Sequence, residues 1–401
     1  MNDKRENVQN TKWNIDGSCE DWIRKPFANP NCLIRLGSTF SGIGAIEHAL
    51  FRLGLNYRTM FAGDVDDNCK KAYFANYDMD ENRWHRDIRD FDARQFKGQI
   101  DLLVGGAPCQ AFSMRGKRGG FEDTRGTLFN EFARVVRECQ PKVFIFENVK
   151  GMLSHDKGKT WATIKNTFED YCGYDVHYQV LNGKDYGIPQ SRERLFCIGF
   201  KKARSFKYPV PIPLEKCLFD FLQETVDGRY FLRRKGVNFV TRTINHIKSY
   251  TQVNGAVMLC QKRNQQFNWH GDFIYHPALK EEPISDGKDE FLFRVCDFEE
   301  SYYLDKTSSR YALIPMKKNI WLMDKNGDRQ IDKSKGRFRK FTPRECLRLM
   351  GFDDSFQIVV TDTECYKQAG NSIIVDVLMA ILRQLDITCY GIQVRGEDRY
   401  G

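Results

Sequence analysis

The chain has no apolar run long enough to cross a membrane, and no signal peptide opens it. Its 13 cysteines include no Cys-x-x-Cys pair and form no cluster with histidine. That spacing argues against a zinc site or a disulfide framework, leaves metal out of the expected cofactors, and suits the reducing cytoplasm. No internal repeat is present. No Walker-type lysine follows the first glycine turn, which counts against a bound nucleoside triphosphate. Basic excess is missing from most of the chain too. Of the formal charge of +9, residues 201–340 carry +10 (27 Lys and Arg against 17 Asp and Glu), and the remainder carries −1. Such asymmetry points to a polyanion partner for that one segment, a solvated basic surface being the plainer alternative. An acidic run, Glu281 to Glu290, lies inside it, so the basic surface is not uniform.

The 401 residues suffice for one large domain and a smaller second one. Up to about residue 200, strands alternate with helices. Cys32 to Ser38, Tyr57 to Val65, Asp101 to Val104, Val143 to Phe146 and Arg194 to Phe200 read as strands. Ile43 to Leu53, Asp67 to Tyr77 and Thr127 to Cys139 have helical spacing. This alternation predicts an α/β fold, a doubly wound, mostly parallel sheet with helices on both faces. After a proline cluster at Pro209, Pro211 and Pro213 the pattern changes to short β-rich runs such as Arg229 to Val240. A smaller, irregular, β-rich domain is expected there. Helical signals return at Thr342-Pro343-Arg344-Glu345, a capping box with proline in the first turn. Asn371 to Leu385 reads as one further helix. Met1 to Glu20 has the composition of a tail, with Trp13 and Trp22 as docking residues.

Three motifs carry chemistry. Gly105-Gly106-Ala107-Pro108-Cys109-Gln110 follows a buried strand and sets a cysteine on a tight loop at the strand's carboxyl end, where open α/β sheets bind ligands. An inert buried thiol is the bland alternative. Phe40-Ser41-Gly42-Ile43-Gly44 joins the first strand to the first helix, and Asp64 ends the next strand about twenty residues on. Together with Asp87-Ile88 near a third strand end, this spacing suits an adenosine-containing ligand; a purely structural turn remains the alternative. Phe146-Glu147-Asn148-Val149 brings a carboxyl group to the same sheet edge as Cys109, unless it is a core-edge residue. Alternation along Gln190-Ser191-Arg192-Glu193-Arg194 puts two guanidiniums on one face, suited to a phosphate or an anionic network, or to a surface ladder with Glu193. Cys69, Cys139 and Cys197 read as core thiols, and His48 as a helix-surface residue.

These motifs, in this order, resemble the cytosine-C5 DNA methyltransferases. Phe40 to Gly44 is similar to the S-adenosylmethionine loop. Asp64 and Asp66 resemble its acidic partner, with aspartate at 64 where glutamate is usual. Pro108-Cys109-Gln110 with Ala111-Phe112-Ser113 resembles the nucleophile loop, and Arg125-Gly126-Thr127-Leu128 the entry to the following helix. Glu147-Asn148-Val149, Gln190-x-Arg192-x-Arg194, Arg339 to Cys346 and Gln368-Ala369-Gly370-Asn371-Ser372 match the remaining motifs. Residues 201–340 match none, as befits a variable target-recognition domain.

The resemblance implies a Rossmann-like methyltransferase fold. Its expected divisions are an N-terminal tail (1–31), a catalytic and cofactor domain (32–200), a target-recognition domain (201–337) and a returning segment (338–401). It implies Cys109 as nucleophile toward C6 of a flipped cytosine, with Glu147, Arg192 and Arg194 as catalytic partners. S-adenosylmethionine would be held by Phe40, Ser41, Gly42, Ile43, Gly44, Asp64, Val65, Asp87, Ile88, Gly106, Pro108, Leu128, Asn371, Ser372 and Ile373, and would leave as S-adenosylhomocysteine. Gln110, Ser113, Arg115, Asn148 and Gln190 would face DNA or the flipped base, and the glycine-rich basic stretch after Cys109 would be the mobile catalytic loop. The expected partner is double-stranded DNA, met by a monomer, with a restriction endonuclease of the same site as a further partner. An RNA cytosine methyltransferase and a silent DNA-binding relative stay open as alternatives.

Overall fold

Five short apolar segments, β1 (Ile34–Thr39), β2 (Tyr57–Gly63), β3 (Trp84–His85), β4 (Leu102–Gly105) and β5 (Val143–Val149), run parallel in the computed structural model of the protein. β6 (Asp175–Asn182) and β7 (Glu193–Phe200) complete a seven-stranded sheet of order β3-β2-β1-β4-β5-β7-β6, with β7 antiparallel to both neighbours. The structure describes residues 22–107, 128–240, 250–264, 269–276, 280–283, 291–294 and 337–393, together with Asn245.

The parallel strands are apolar almost throughout because both faces are covered. Side chains alternate between two cores. Leu102, Val104, Val143 and Ile145 pack toward α1 (Ala45–Arg52) and α8 (Val375–Gln384). Leu103, Phe144 and Phe146 pack on the other face against Phe129, Phe132 and Val136 of α3 (Leu128–Cys139). α2 (Asp67–Asn76) follows β2, and α4 (Lys159–Asn166) precedes β6. Neither α4 nor β6 was expected from the sequence. Among the described residues no helix is long and apolar enough to cross a membrane.

Between residues 225 and 339 the described residues form two three-stranded sheets. One joins β9 (Thr251–Val253), β10 (Gly271–His276) and β13 (Arg337–Arg339); the other joins β8 (Thr225–Asp227), β12 (Phe291–Arg294) and β11 (Lys280–Pro283). The expected strand over Arg229 to Val240 is instead a 3-10 turn followed by helix α5 (Arg234–Val240). Val237 and Val240, three apart, both turn toward Val253, Phe273 and Phe338, a helical spacing that the β-branched composition obscured.

The chain returns through α6 (Pro343–Arg348), where Thr342 and Glu345 make the expected capping box. Glu345 also forms a fully buried bidentate pair with Arg339, at 2.7 and 2.8 Å, which fastens β13 to α6. The helix expected over Asn371 to Leu385 is present as α8, which begins at Val375 after extended backbone at Ser372 and Ile374; α7 (Asp362–Asn371), just before it, was not expected from the sequence. The break between the two helices comes one residue after Gly370. It frees carbonyls that Arg192 takes up. At the other end Trp22 is buried against Tyr186 and donates to the Val210 carbonyl at 2.9 Å, while Ala28 N donates to Asp386. Residues 22–31 are thus docked on the body, unlike a tail; Trp13 and residues 1–20 lie outside the described residues. Cys69, Cys139 and Cys197 are buried, as expected. His48 is not on the surface: it is buried among Phe51, Phe352 and Phe356, and burial lowers it to about 4.

Glu47 in the first turn of α1 is fully buried, with Tyr73 Oη donating to one oxygen at 2.6 Å and the other oxygen unpartnered. Burial raises its carboxyl to about 7. The folded value therefore exceeds the unfolded one, and the stability it confers is lost as pH rises from about 4.5 through about 7. That loss is on the order of 3 kcal/mol. The Tm of the wild type is expected to fall more between pH 5 and pH 8 than that of Glu47→Gln; parallel curves in a thermal melt would contradict this.

Candidate active site

The carboxyl ends of β1, β4 and β5 lie side by side, because Thr39 pairs with Gly105 and Gly105 with Phe146. β7 runs the other way, so its beginning, not its end, reaches the same edge: Val149 pairs with Arg194. Two signals far apart in sequence, a strand-end carboxylate and a strand-start guanidinium, thereby meet. Arg194 Nε contacts Glu147 Oε1 at 3.1 Å. Burial raises the Glu147 carboxyl above its ordinary value, and Arg194 and then Arg192 oppose that shift. A Cβ on Gly106 would stand 3.2 Å from both the carbonyl and a carboxyl oxygen of Glu147, so the turn after β4 passes directly over this group.

Asn148 is buried, and its amide donates to the Ala107 carbonyl at 2.8 Å. It holds the turn from below rather than facing outward. Pro108, Cys109, Gln110, Ser113 and Arg115, and the whole stretch 108–127, lie outside the described residues. Leu128, at the start of α3, packs half-buried on the second core.

The first glycine turn is a second feature of this edge. Phe40, Gly42 and Gly44 have φ of 52°, 53° and 78°. At Gly44 a side chain is excluded twice, since its Cβ would meet the Tyr77 ring at 2.2 Å. Tyr77 Oη in turn donates to the Gly44 carbonyl at 2.8 Å. The Asp64 carboxylate accepts from Gly42 N and Asp66 N, both at 3.0 Å, and so braces the turn. Burial raises Asp64, against the pull of these N–H groups. Ser41 is tied to Gly63 through both its backbone N–H and its hydroxyl. Ile43 is buried, whereas Val65 beside Asp64 is 61% exposed. Asp87 pairs with Arg89, which holds its carboxyl down at about 2, and Ile88 is buried. Both lie just past the end of β3, which stops at His85.

Such a turn fits a ligand with a carboxylate and an adenosine. The N-cap of α1 is Gly44, which supplies no side-chain cap to the first turn. An exposed apolar side chain and an acid stand at the adjoining strand end. No phosphate-binding lysine is among them.

Arg192, expected to orient Glu147 or a phosphodiester, is buried. Nη1 donates to the Gln261 carbonyl at 2.8 Å; Nη2 donates to the carbonyls of Gly370 and Ser372 at 3.1 and 2.8 Å. Burial, then Arg194, lowers it to about 10, so it stays charged at neutral pH. It clasps three segments: its own, the one at Gln261, and the α7–α8 junction that carries exposed Asn371 and half-buried Ser372 and Ile373. Gln190, expected to face DNA, is fully buried too. Its amide donates to the Leu349 carbonyl at 2.7 Å and its oxygen accepts from Gln261 N at 3.0 Å. It is a tie between segments and not a base contact, because no polar atom is left for one. Sequence reasoning missed Cys260 and Gln261, which lie beside both arginines; nothing in their short run, Met258-Leu259-Cys260-Gln261, marks it out.

A profile of the C-5 cytosine-specific DNA methylase family matches residues 34–386. This chain belongs to that family. It is a DNA cytosine-C5 methyltransferase. It is 34% identical over 368 residues to the type II methyltransferase M.SsoII of Shigella sonnei, covering 89% of this chain and 81% of that one. It is 32% identical over 375 residues to M.HpaII of Haemophilus parainfluenzae, covering 89% and 90%. The orphan methyltransferase M.SPRI of Bacillus phage SPR is 30% identical over 430 residues, covering 88% and 97%. Among solved structures, the Dnmt2 methyltransferase of S. pombe has the same fold, with a TM-score of 0.60 at 18% identity over 88% of this chain and 98% of that one.

Removing the clasp should be costly whatever its part in the reaction. Arg192→Ala leaves three carbonyls, one at Gln261 and two at the α7–α8 junction, without their donor, each worth about 1–3 kcal/mol when buried. Urea unfolding is expected to show a loss of about 3 kcal/mol or more; a loss below about 1 kcal/mol would contradict the clasp.

Proposed function

We propose that this methyltransferase uses Cys109 as nucleophile and Glu147 as the proton-holding carboxyl, with Arg194 orienting Glu147. The observation that carries the reading is the mostly buried Glu147, raised by burial and touched by one guanidinium nitrogen, directly beneath the turn that leads into Cys109.

Cytosine C5 is a poor nucleophile until a group adds at C6. Cys109 adds there as a thiolate, the form that is nucleophilic; an ordinary thiol is only a few per cent ionised at pH 7. As electrons move onto the ring, Glu147 holds N3 and the exocyclic amine and supplies a proton to N3, the task for which a raised pKa suits it. When bound, S-adenosylmethionine supplies an electrophilic methyl group for C5. The C5 proton then leaves to a base, the carbon–sulfur bond to Cys109 breaks, N3 returns its proton to Glu147, and the thiolate is restored. The base must first leave the helix stack, at a cost of a few kcal/mol.

In this reading Phe40 and Val65 would hold the adenine and Asp64 the ribose. Asp87 and Ile88 meet the adenine edge. Ser41, Gly42, Ile43 and Gly44 shape the turn toward the carboxylate, and Gly106, Pro108 and Leu128 line the methyl side. Asn371, Ser372 and Ile373 close the pocket. Product S-adenosylhomocysteine leaves the same way, and no metal takes part. Gln110, Ser113 and Arg115 meet the extruded base or its backbone.

Residues 201–337 serve as the target-recognition domain, between the catalytic domain at 32–200 and the returning segment at 338–401. The charge of +10 over 201–340 favours duplex DNA over RNA, through phosphate contacts and a few major-groove readers. The enzyme acts as a monomer, either beside a restriction endonuclease of the same site or alone.

A duplex carrying 5-fluorocytosine at the target tests the covalent step, because fluorine cannot leave as a proton does. Wild type is expected to form a denaturant-resistant complex on a gel and Cys109→Ser to form none. Near wild-type turnover by Cys109→Ser would sink the mechanism.

A further inference from the structure

The segment from Met258 to Gln261 is stitched to the approach to β7. Met258 N donates to the Pro189 carbonyl at 2.7 Å, and Ser191 N to the Met258 carbonyl at 2.8 Å. Gln261 N donates to Gln190 Oε1 at 3.0 Å. From the other side the buried Asp272 carboxylate accepts from Leu259 N at 3.1 and 3.2 Å. Backbone on both sides of Cys260 is therefore fixed, and its half-buried sulfur is delivered to both active-site arginines. Arg192 Nη1 lies 3.7 Å from Sγ, and Arg194 Nη1 and Nη2 lie 3.9 and 3.8 Å from it.

This placement decides how Arg194 can meet Glu147. Nη1 of Arg194 also donates to the Glu193 carbonyl at 2.8 Å, so both terminal nitrogens are turned toward other acceptors. Nε is the nitrogen that contacts the carboxyl, at 3.1 Å. Arg192 is restrained in the same way: its terminal nitrogens are spent on Cys260 and three carbonyls, while its Nε is buried without a partner. A guanidinium free to turn would present its fork to the nearby carboxylate in two parallel bonds.

We propose that Cys260 is a positioning residue for methyl transfer: its sulfur occupies the guanidinium ends of Arg192 and Arg194 and so leaves Glu147 with a single nitrogen contact. The proposal rests on Glu147 acting as a protonated carboxyl. A two-bond pairing favours the ionised carboxylate and would remove that proton from use. Among the described residues, the charged groups facing Glu147 are Arg194, the second residue of β7, and Arg192 just before it. The turn after β4 faces it through the backbone of Gly106. The recognition side contributes Cys260, by way of the two arginines. Recognition and chemistry are thus joined through one thiol, on a segment bonded to both parts of the chain.

The test is the pH profile of kcat for methyl transfer to DNA, measured for wild type, Cys260→Ala, Cys260→Val, Cys260→Ser and Glu147→Gln. Activity that needs a protonated Glu147 falls as pH rises through its pKa. Without the sulfur, Arg194 turns onto Glu147, its pKa drops, and the alkaline limb moves to lower pH by about half to one unit. Valine, which keeps the volume, should shift the limb as alanine does, and KM for S-adenosylmethionine should hold. Serine restores an acceptor and should bring the limb back. Limbs that coincide in all Cys260 variants while Glu147→Gln is inactive would overturn the proposal alone. So would a fall in kcat that is equal at every pH, which a purely structural role would give. Wild-type kcat in Glu147→Gln would overturn the carboxyl's role, and this proposal with it.

Discussion

A buried cation holds the active-site edge of this protein together. Arg192 keeps its charge at neutral pH although burial works against it, with Cys260 and Glu147 opposing the shift, and it gives its donors to carbonyls from separate stretches of chain. An unpaired charge in that position would cost several kcal/mol, so the segments at Gln261 and at Gly370 to Ser372 cannot drift from β7 without exposing or orphaning the guanidinium. The α7–α8 junction and the segment at Gln261 are thereby fixed to the start of the strand that also presents Arg194 to Glu147.

The direction of β7 makes this arrangement possible. Parallel strands bring only their ends to the ligand edge, and β1, β4 and β5 do so with glycine turns and a carboxyl. An antiparallel strand at β5's flank brings its beginning instead, with the arginines that precede the apolar run. Charged residues can sit there because the strand has not yet entered the core: Arg194 is 17% exposed on its side chain, while Leu195 is fully buried. The carboxyl and the guanidinium are thus neighbours by topology, and burial raises the carboxyl while Arg194 opposes that shift.

Much of this was legible in the sequence, for identifiable reasons. β4 and β5 are apolar runs that reach a glycine or a carboxyl, and β1, though interrupted by Arg35, leads into the glycine turn at Phe40 to Gly44, so both the strands and their functional ends stood out. β6 did not, because His177, Tyr178 and Gln179 interrupt its pattern at the edge of the sheet, where one side needs no apolar cover. α7 was not read at all and the start of α8 was read four residues early; at their junction the Ser372 carbonyl is taken by Arg192, almost two hundred residues away in the chain. Gln190 and Arg192 were legible as a motif, but their alternation gave only a shared face; that the face points inward is a property of the packed segments around it. His48 was misread because the aromatic residues that bury it, Phe352 and Phe356, come three hundred residues later.

The central claim is that this edge methylates cytosine in DNA through the Glu147 carboxyl held beside Arg194. Bisulfite sequencing of plasmid DNA from cells expressing the protein reads that outcome at single-base resolution. The account predicts protection of one cytosine within a fixed short sequence by the wild type, and none with Glu147→Gln at equal expression. Plasmid without protected cytosines, or protection that persists unchanged with Glu147→Gln, would contradict it.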